Sequence, residues 1–165
     1  MLLFNFSTEQ AIDDWMSIND VVMGGVSSGR LVATGNDTVA FTGLVSLENG
    51  GGFASVRSRP REHDLRGYSG LELRIRGDDR RYKINLKTDI RADGILYRAI
   101  FETREGEWQT LRLPFGEFLP TLRGRVVPEA PPLDLSCVTS LGLMISDRQA
   151  GPFRLEITLI GAYAD

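Results

Sequence analysis

The sequence has very few of the residues that catalysis and metal binding most often use. Its 165 residues contain one histidine, His63, and one cysteine, Cys137. A nucleophilic serine or cysteine usually needs a neighbouring base, and structural zinc needs several His or Cys ligands. We interpret His63, in the polar loop 59–66, as a solvated residue. The sequence therefore predicts a protein that is not an enzyme and holds no metal or cofactor, and Cys137 has no partner for an internal disulfide.

Signatures of phosphate and calcium sites are also missing. The glycine clusters at 24–25 and 50–52 do not follow the GxxxxGK[ST] pattern that wraps phosphates. Acidic pairs such as Asp78-Asp79 lack the DxDxDG spacing of a calcium loop. The preference of Asp and Gly for turns and loops is a sufficient explanation for these residues.

Long apolar runs and a strong charge of one sign are absent. No stretch approaches the ~20 apolar residues of a membrane span, and the start MLLFNFSTEQ has no basic, apolar signal pattern. We therefore expect a cytoplasmic protein without direct membrane insertion. The formal net charge of −3, from 19 basic and 22 acidic residues, gives no field that attracts nucleic acid.

What the sequence does contain is period-two alternation of apolar and polar residues. Leu71, Leu73 and Ile75 alternate with charged residues, and the same pattern recurs along the chain. It predicts strands at 39–47, 53–57, 71–75, 82–87, 95–102, 108–113, 138–145 and 153–160. This number of strands with little helix predicts an all-β fold of two packed antiparallel sheets, formed by 1–165 as a single domain.

The connections between these strands carry their own signals. Ser7 and Gln10 form a capping-box pattern for one short helix reaching about Trp15. The polar connector 77–81 predicts a β-hairpin over 71–88, and Asn49-Gly50 predicts another hairpin turn. The proline-rich segment 127–133 is predicted to be a loop that crosses between the sheets.

The segment NDVVMGGVSSG, residues 19–29, combines polar side chains with a glycine pair and a serine pair. In one interpretation it is a recognition loop, since glycine permits close approach and the polar groups offer hydrogen bonds. In the other it is a structural plug, with Asn19 and Asp20 bonding the backbone. Its candidate binding residues are Asn19, Asp20, Met23, Gly24, Gly25, Ser27 and Ser28.

Further candidates lie on strands. Arg74, Arg76, Lys83 and Lys87 would form a basic patch on the polar face of the 71–88 hairpin, suited to an acidic partner or a hydroxyl-rich ligand, or simply a solvated face. Trp108 has the opposite parity to Leu111 and Leu113, which predicts exposure beside Arg112, typical of a binding hot spot or of a core rim. Arg57, which shares one face of 53–57 with Phe53 and Ser55, joins the candidates because a jelly roll could bring it together with Trp108 and residues 19–29.

Several segments, in this order, resemble the complex I intermediate-associated protein 30 family over nearly the whole chain. They are NDVVMGGVSSG at 19–29, GGFASVR at 51–57, RGDDRRYK at 76–83, GEWQTLRLPFGEF at 106–118, RGR at 123–125 and LGLMISDRQAGPF at 141–153. The resemblance implies a galactose-binding-like jelly-roll sandwich. It also implies a chaperone-like role in the assembly of respiratory complex I, without known catalysis.

We therefore expect a non-catalytic binding or assembly factor that holds a protein partner, such as an assembly intermediate or a subunit of a membrane complex. The alternative is a module that binds carbohydrate or another small ligand, since sandwiches of this kind present polar and aromatic residues to sugars.

Overall fold

The chain folds into two antiparallel β-sheets packed face to face. The structure is a computed structural model that describes residues 1–19, 25, 27–91 and 94–165. Within those residues the strands are β1 (Leu2–Asn5), β2 (Trp15–Ser17), β3 (Ser28–Ala33), β4 (Val39–Val45), β5 (Ala54–Ser58), β6 (Gly70–Arg76), β7 (Arg81–Lys87), β8 (Leu96–Glu102), β9 (Trp108–Pro114), β10 (Leu119–Leu122), β11 (Arg125–Val126), β12 (Ser140–Ile145) and β13 (Gly151–Tyr163). Short 3₁₀ turns cover Glu9–Asp14, Glu48–Gly50 and Phe115–Glu117.

The strands divide into what we call sheet I and sheet II. Sheet I has the order β3-β4-β13-β6-β9, with β1 also pairing β13. Sheet II has the order β11-β10-β8-β7-β12-β5-β2. The predicted all-β, two-sheet jelly-roll sandwich is therefore confirmed, and none of the described helices is long and apolar enough to cross a membrane.

The core lies between the sheets and follows directly from the alternation in the sequence. Leu71 and Leu73 on β6 are fully buried, as are Ile84 on β7 and Leu143 on β12. Each such side chain stabilises the fold by roughly 1.5–3 kcal/mol relative to an exposed one. The residues between them in sequence point to the outer face of their own sheet, and these two outer faces carry the candidate sites.

The predicted hairpin over 71–88 is wrong, because β6 belongs to sheet I and β7 to sheet II. The connector instead passes from one sheet to the other around Thr103. The Oγ1 of Thr103 accepts a hydrogen bond from the backbone N of Asp78 at 3.3 Å and donates to the carbonyl of Arg80 at 2.7 Å. A Cβ on Gly77 would lie 2.1 Å from the Thr103 Cβ, so glycine is required for this close approach.

Two other predicted connections also differ. Residues 46–53 lead from β4 in sheet I to β5 in sheet II, so Asn49, at φ 55°, sits in a 3₁₀ turn and not in a hairpin. The segment 127–133 is a loop as predicted, but it joins β11 to β12 within sheet II and does not cross between sheets.

The short N-terminal helix ends before Trp15 as predicted, but it is a 3₁₀ turn without the capping box. The hydroxyl of Ser7 donates to Oδ1 of Asn5 at 2.7 Å and does not cap the turn. The residue at the N-cap position is Thr8, and its side chain makes no capping hydrogen bond.

Candidate partner-binding surfaces

The predicted site residues lie in three separate places. Arg74, Arg76 and Trp108 come together on the outer face of sheet I. Arg57 and Lys83 lie on the outer face of sheet II, on the opposite side of the sandwich. The remaining candidates belong to the 19–29 segment, of which Asp20, Met23 and Gly24 lie outside the described residues.

On sheet I, the antiparallel register of β6 and β9 places Trp108 directly opposite Arg76. The Cζ atoms of Arg76 and Arg74 lie 5.1 and 5.6 Å from the centroid of the Trp108 ring. Both guanidinium groups are thus within cation–π range of one half-buried indole. Arg74 also donates to the hydroxyl of Thr110 at 3.2 Å.

A carboxylate fixes one of these arginines. Arg76 donates to Oε1 of Glu156 at 2.7 Å, and Arg154 lies 3.5 Å from the same oxygen. Burial alone would raise the pKa of Glu156, but the hydrogen bonds from Arg76 and Thr38 and the neighbouring positive charges together lower it. We call Arg74, Arg76, Trp108 and Glu156 the tryptophan cluster. Its parts are held in place before any partner arrives.

The predicted basic patch is not formed. Arg74 and Arg76 lie on sheet I, whereas Lys83 and Lys87 lie on sheet II. Both lysines are also buried, at 7% and 4% exposed. Lys83 Nζ donates to Asp147 at 2.9 Å and to Ser146 at 2.7 Å, and Lys87 donates to the carbonyl of Arg91. All four side chains point to an outer face, as the alternation predicts. They do not form one patch, because β6 and β7 belong to different sheets.

On sheet II, the strand registers align six outward residues in one row across the sheet. From β2 to β10 they are Met16, Arg57, Gly142, Asn85, Arg98 and Leu119. Arg98 Nε donates to Oδ1 of Asn85 at 3.3 Å, and its Nη2 lies 3.5 Å from Sδ of Met144. Sequence reasoning missed Arg98 and Gly142, because only the long-range register places them beside Arg57.

A pocket adjoins this row at the β8–β10 side of sheet II. Its volume is about 340 Å³, and its lining includes Arg98, Lys83 and Glu117 together with apolar side chains. Of the apolar residues, Ile100, Leu119 and Val126 are 55%, 52% and 53% exposed. The outer face of sheet II therefore combines positive charge with an uncovered apolar wall.

The described residues of the 19–29 segment form structural contacts. Oδ1 of Asn19 accepts the backbone N-H of Ser55 at 3.2 Å. The hydroxyl of Ser27 accepts from the backbone N of Ser46 at 2.9 Å and lies 3.1 Å from its carbonyl oxygen. Gly25 and Ser27 are buried, whereas Ser28 is exposed. These contacts favour the structural interpretation for Asn19 and Ser27.

His63 is not a solvated loop residue, so that expectation is wrong. Its backbone pairs with Val138 in an isolated bridge, and its ring centroid lies 6.0 Å from that of Phe4. Its Nε2 is buried and has no hydrogen-bond partner among the described residues. Burial, and then the charge of Arg61, lower the pKa of His63. The described part of the chain also holds no group of three or more His, Cys, Asp or Glu residues arranged for a metal ion.

Comparison with known sequences identifies relatives over nearly the whole chain. The family profile described as Complex I intermediate-associated protein 30 matches residues 4–157. A Mus musculus protein named "Complex I intermediate-associated protein 30, mitochondrial" is 31% identical over 99% of this chain and 56% of its own length. A Caenorhabditis elegans protein named "Probable complex I intermediate-associated protein 30, mitochondrial" is 31% identical over 98% of this chain and 54% of its own. The chain thus spans about half the length of these curated relatives.

The names of these relatives correct one expectation. Relatives from mouse, Caenorhabditis elegans and Drosophila melanogaster are all named as mitochondrial proteins. The prediction of a cytoplasmic location is therefore wrong. It rested on the absence of targeting and membrane-spanning patterns in the sequence.

Solved structures with the same fold include carbohydrate-binding modules. A family 11 module of the cellulase Lic26A-Cel5E of Clostridium thermocellum aligns with a TM-score of 0.74 and 15% identity, covering 100% of this chain and 94% of that one. A family 11 module in complex with a β-1,3-1,4-mixed-linked tetrasaccharide has a TM-score of 0.69 and 20% identity, covering 99% and 96%. At these identities the likeness shows the sandwich fold alone.

Proposed function

Since the chain belongs to the complex I intermediate-associated protein 30 family, we propose that it serves the assembly of respiratory complex I as a non-catalytic, chaperone-like factor. Residues 1–165 act as one binding domain that holds a protein assembly intermediate. The contact surface is the tryptophan cluster on sheet I. The observation that carries this choice is Trp108 held under Arg74 and Arg76.

The chemistry of the tryptophan cluster supports a protein interface. Tryptophan and arginine are the residues most enriched at energetic hot spots. Because Glu156 already orients Arg76, less side-chain entropy is lost when a partner binds. The nearby pair of Arg112 and Glu72, at 3.1 Å, extends the same face with further fixed charges.

The environment of the titratable groups supports binding over catalysis. His63 lies half-buried against Phe4 with a lowered pKa, away from either outer face. The hydroxyl of Tyr82 donates to Asp78 at 3.0 Å, and burial followed by the charge of Asp78 raises its pKa above the normal range. Neither group is placed as a general acid or base near a pocket.

Carbohydrate binding is the alternative, and the fold of the carbohydrate-binding modules favours it. The outer face of sheet II argues against it. Sugars are commonly received by aromatic as well as polar side chains. The outward residues of β5, β7, β8 and β12 contain no aromatic ring. A protein partner therefore fits the outer face of sheet II better than a glycan.

Gene deletion and complementation in the native host test the function. We expect deletion to reduce assembled complex I on native gels and the wild-type gene to restore it. Trp108→Ala should restore it poorly, because removing a hot spot costs about 2 kcal/mol of binding or more, roughly thirtyfold in Kd. Arg66→Ala, in an exposed loop, is the matched control and should restore assembly fully.

The results test the assembly role and the choice of the tryptophan cluster as contact surface separately. Normal complex I after deletion would overturn the assembly role, and glycan-array binding without any effect on complex I would favour the alternative. Full rescue by Trp108→Ala would retain the function and remove the tryptophan cluster. Melting temperatures of each purified variant identify losses caused by unfolding.

A further inference from the structure

The outer face of sheet II carries two arginine side chains, Arg57 and Arg98, that form no ion pair within residues 1–19, 25, 27–91 and 94–165. The Arg57 side chain forms no hydrogen bond or ion pair with the described residues. Arg98 hydrogen-bonds only the neutral groups of Asn85 and Met144 in that part of the chain. The carboxylate of Asp147 also acts on Arg98 by its charge, but it is already paired with Lys83. The lysines of the same face are neutralised, Lys83 by Asp147 at 2.9 Å and Lys87 by Asp89 at 3.5 Å.

Both guanidinium groups are already partly removed from water. Arg57 and Arg98 are half-buried, and burial is the main cause that lowers the pKa of each. A desolvated cation without a counter-ion is unfavourable, and a ligand carboxylate would relieve that cost. On sheet I, Arg76, Arg112 and Arg154 each have a glutamate partner, and Arg74 packs against the ring of Trp108.

The strand register places these two arginines in one row of sheet II, separated by the strands β12 and β7. In that row the residues between them are Gly142, which has no side chain, and Asn85, and both are buried. Three strand spacings separate the Cα atoms of Arg57 and Arg98, about 14 Å. The contact from Arg98 to Met144 shows that its side chain reaches across β7 to β12, toward Arg57. Two carboxylates on one extended segment that crosses these strands would therefore meet both guanidinium groups.

Next to Arg98 the surface becomes apolar. The pocket of about 340 Å³ begins there, with the half-exposed side chains of Ile100, Leu119 and Val126 along it. Its volume suits one or two large apolar side chains. A ligand that reaches both parts of the face must carry negative charge and apolar surface side by side.

We propose that the outer face of sheet II binds an acidic segment of a protein partner, whose carboxylates pair with Arg57 and Arg98 and whose apolar side chain enters the adjoining pocket. This is a second binding surface, on the side of the sandwich opposite the tryptophan cluster. The choice of a protein ligand rests on the proposed function. An anionic membrane is a poorer match, because the chain's net charge is −3 and the neighbouring lysines are already paired.

Selection from a random peptide library displayed on phage tests this inference on the purified full chain. We expect the enriched peptides to place Asp or Glu beside large apolar residues. A synthetic copy of an enriched peptide should bind at least about thirtyfold more weakly to Arg57→Gln or Arg98→Gln, the loss expected when a desolvated charge pair is broken. Its Asp→Asn and Glu→Gln version should lose affinity for the wild type to the same degree.

Two controls locate the contact. Arg74→Gln, on sheet I, should leave peptide affinity unchanged, and Leu119→Ser should weaken it without altering the net charge. In NMR titrations the Nε–Hε signals of Arg57 and Arg98 should shift with the peptide. Vesicles of phosphatidylcholine with phosphatidylglycerol should not shift them.

The inference is overturned if no peptides are enriched, if the enriched peptides lack acidic residues, or if vesicles alone shift the two arginine signals. Complementation of the gene deletion then shows whether the sheet II surface alone is ruled out or the assembly role as well. If Arg57→Gln and Arg98→Gln restore complex I fully while deletion abolishes it, the assembly role stands and the sheet II surface does not.

Discussion

The side chain of Asn19 is bound to the backbone of Ser55, whose N-H donates to Oδ1 of Asn19 at 3.2 Å. The Nδ2 of Asn19 in turn lies 3.5 Å from the carbonyl oxygen of Gly29. Ser55 belongs to β5 of sheet II and Gly29 to β3, the edge strand of sheet I, so one amide connects the two sheets. Of the two interpretations of residues 19–29, this contact supports the structural one at Asn19.

Asn19→Ala should therefore act on stability. A part-buried backbone N-H loses its acceptor, which costs about 1 kcal/mol or more and lowers the melting temperature by roughly 2–4 °C in a domain of this size. Ser28→Ala, at an exposed position, is the control and should stay within about 0.5 kcal/mol of wild type. Calorimetry measures both. An unchanged melting temperature with weakened partner binding would restore the recognition interpretation.

Replacing Asp147 should lower the free energy of unfolding more than replacing its partner Lys83. Asp147→Asn suits the left-handed backbone at this position, φ 62°, and leaves Lys83, a residue that is 7% exposed, without its counter-ion. We expect a loss of about 1–3 kcal/mol in the free energy of unfolding. Lys83→Met removes the charge and keeps the length of the side chain, so its cost should be about 1 kcal/mol or less. Urea titration measures the difference. Equal losses would show that the pair itself stabilises the fold.

Much of the fold could be predicted because single strands carry their own alternation. β6 was predicted at 71–75 and is found at Gly70–Arg76, since its apolar residues repeat at every second position. Strand pairing is different, because it depends on contacts between distant segments. β13 pairs with both β4 and β6, and nothing local to the 77–81 connector reveals that β7 joins the other sheet.

Because strand pairing cannot be predicted locally, only some of the surface residues could be identified from the sequence. The partial exposure of Trp108 followed from its parity within one strand, and the structure places it on the outer face of sheet I. Arg98 and Gly142 gave no local signal, because their significance arises only where β8, β7, β12 and β5 align. The short strands β1 and β2 have too few residues for a period to be recognised.

Gly43 should tolerate no side chain, although its position in the alternation is that of a core residue. A Cβ there would lie 2.0 Å from the carbonyl oxygen of Ser28 and 2.8 Å from the Cα of Gly29. Gly43→Ala must push β3 away from β4, at an expected cost of about 1–3 kcal/mol. Gly116→Ala is the control, because nothing lies within 4 Å of its Cβ position. Equal denaturation midpoints for the two variants would contradict the predicted clash.

His63 should make the stability of the protein depend on pH near neutrality. Its pKa is lowered in the folded state by burial and by Arg61, so the unfolded chain binds a proton more readily. The stability that the neutral ring contributes is complete above its ordinary pKa of about 6.5 and is lost as the pH falls through the lowered folded value. The orphaned Nε2 beside Phe4 explains why the folded protein resists protonation there.

His63→Phe keeps an aromatic ring against Phe4 and removes the titrating group. Urea titrations at about pH 7.5 and pH 5.5 should then show a smaller loss of unfolding free energy at the lower pH than in wild type. Since His63 is the single histidine, few other groups change charge in this interval. A variant with the wild-type pH slope would show that the ring is solvated in the native state. Partner binding above pH 7 should be unchanged, because the ring lies on neither outer face.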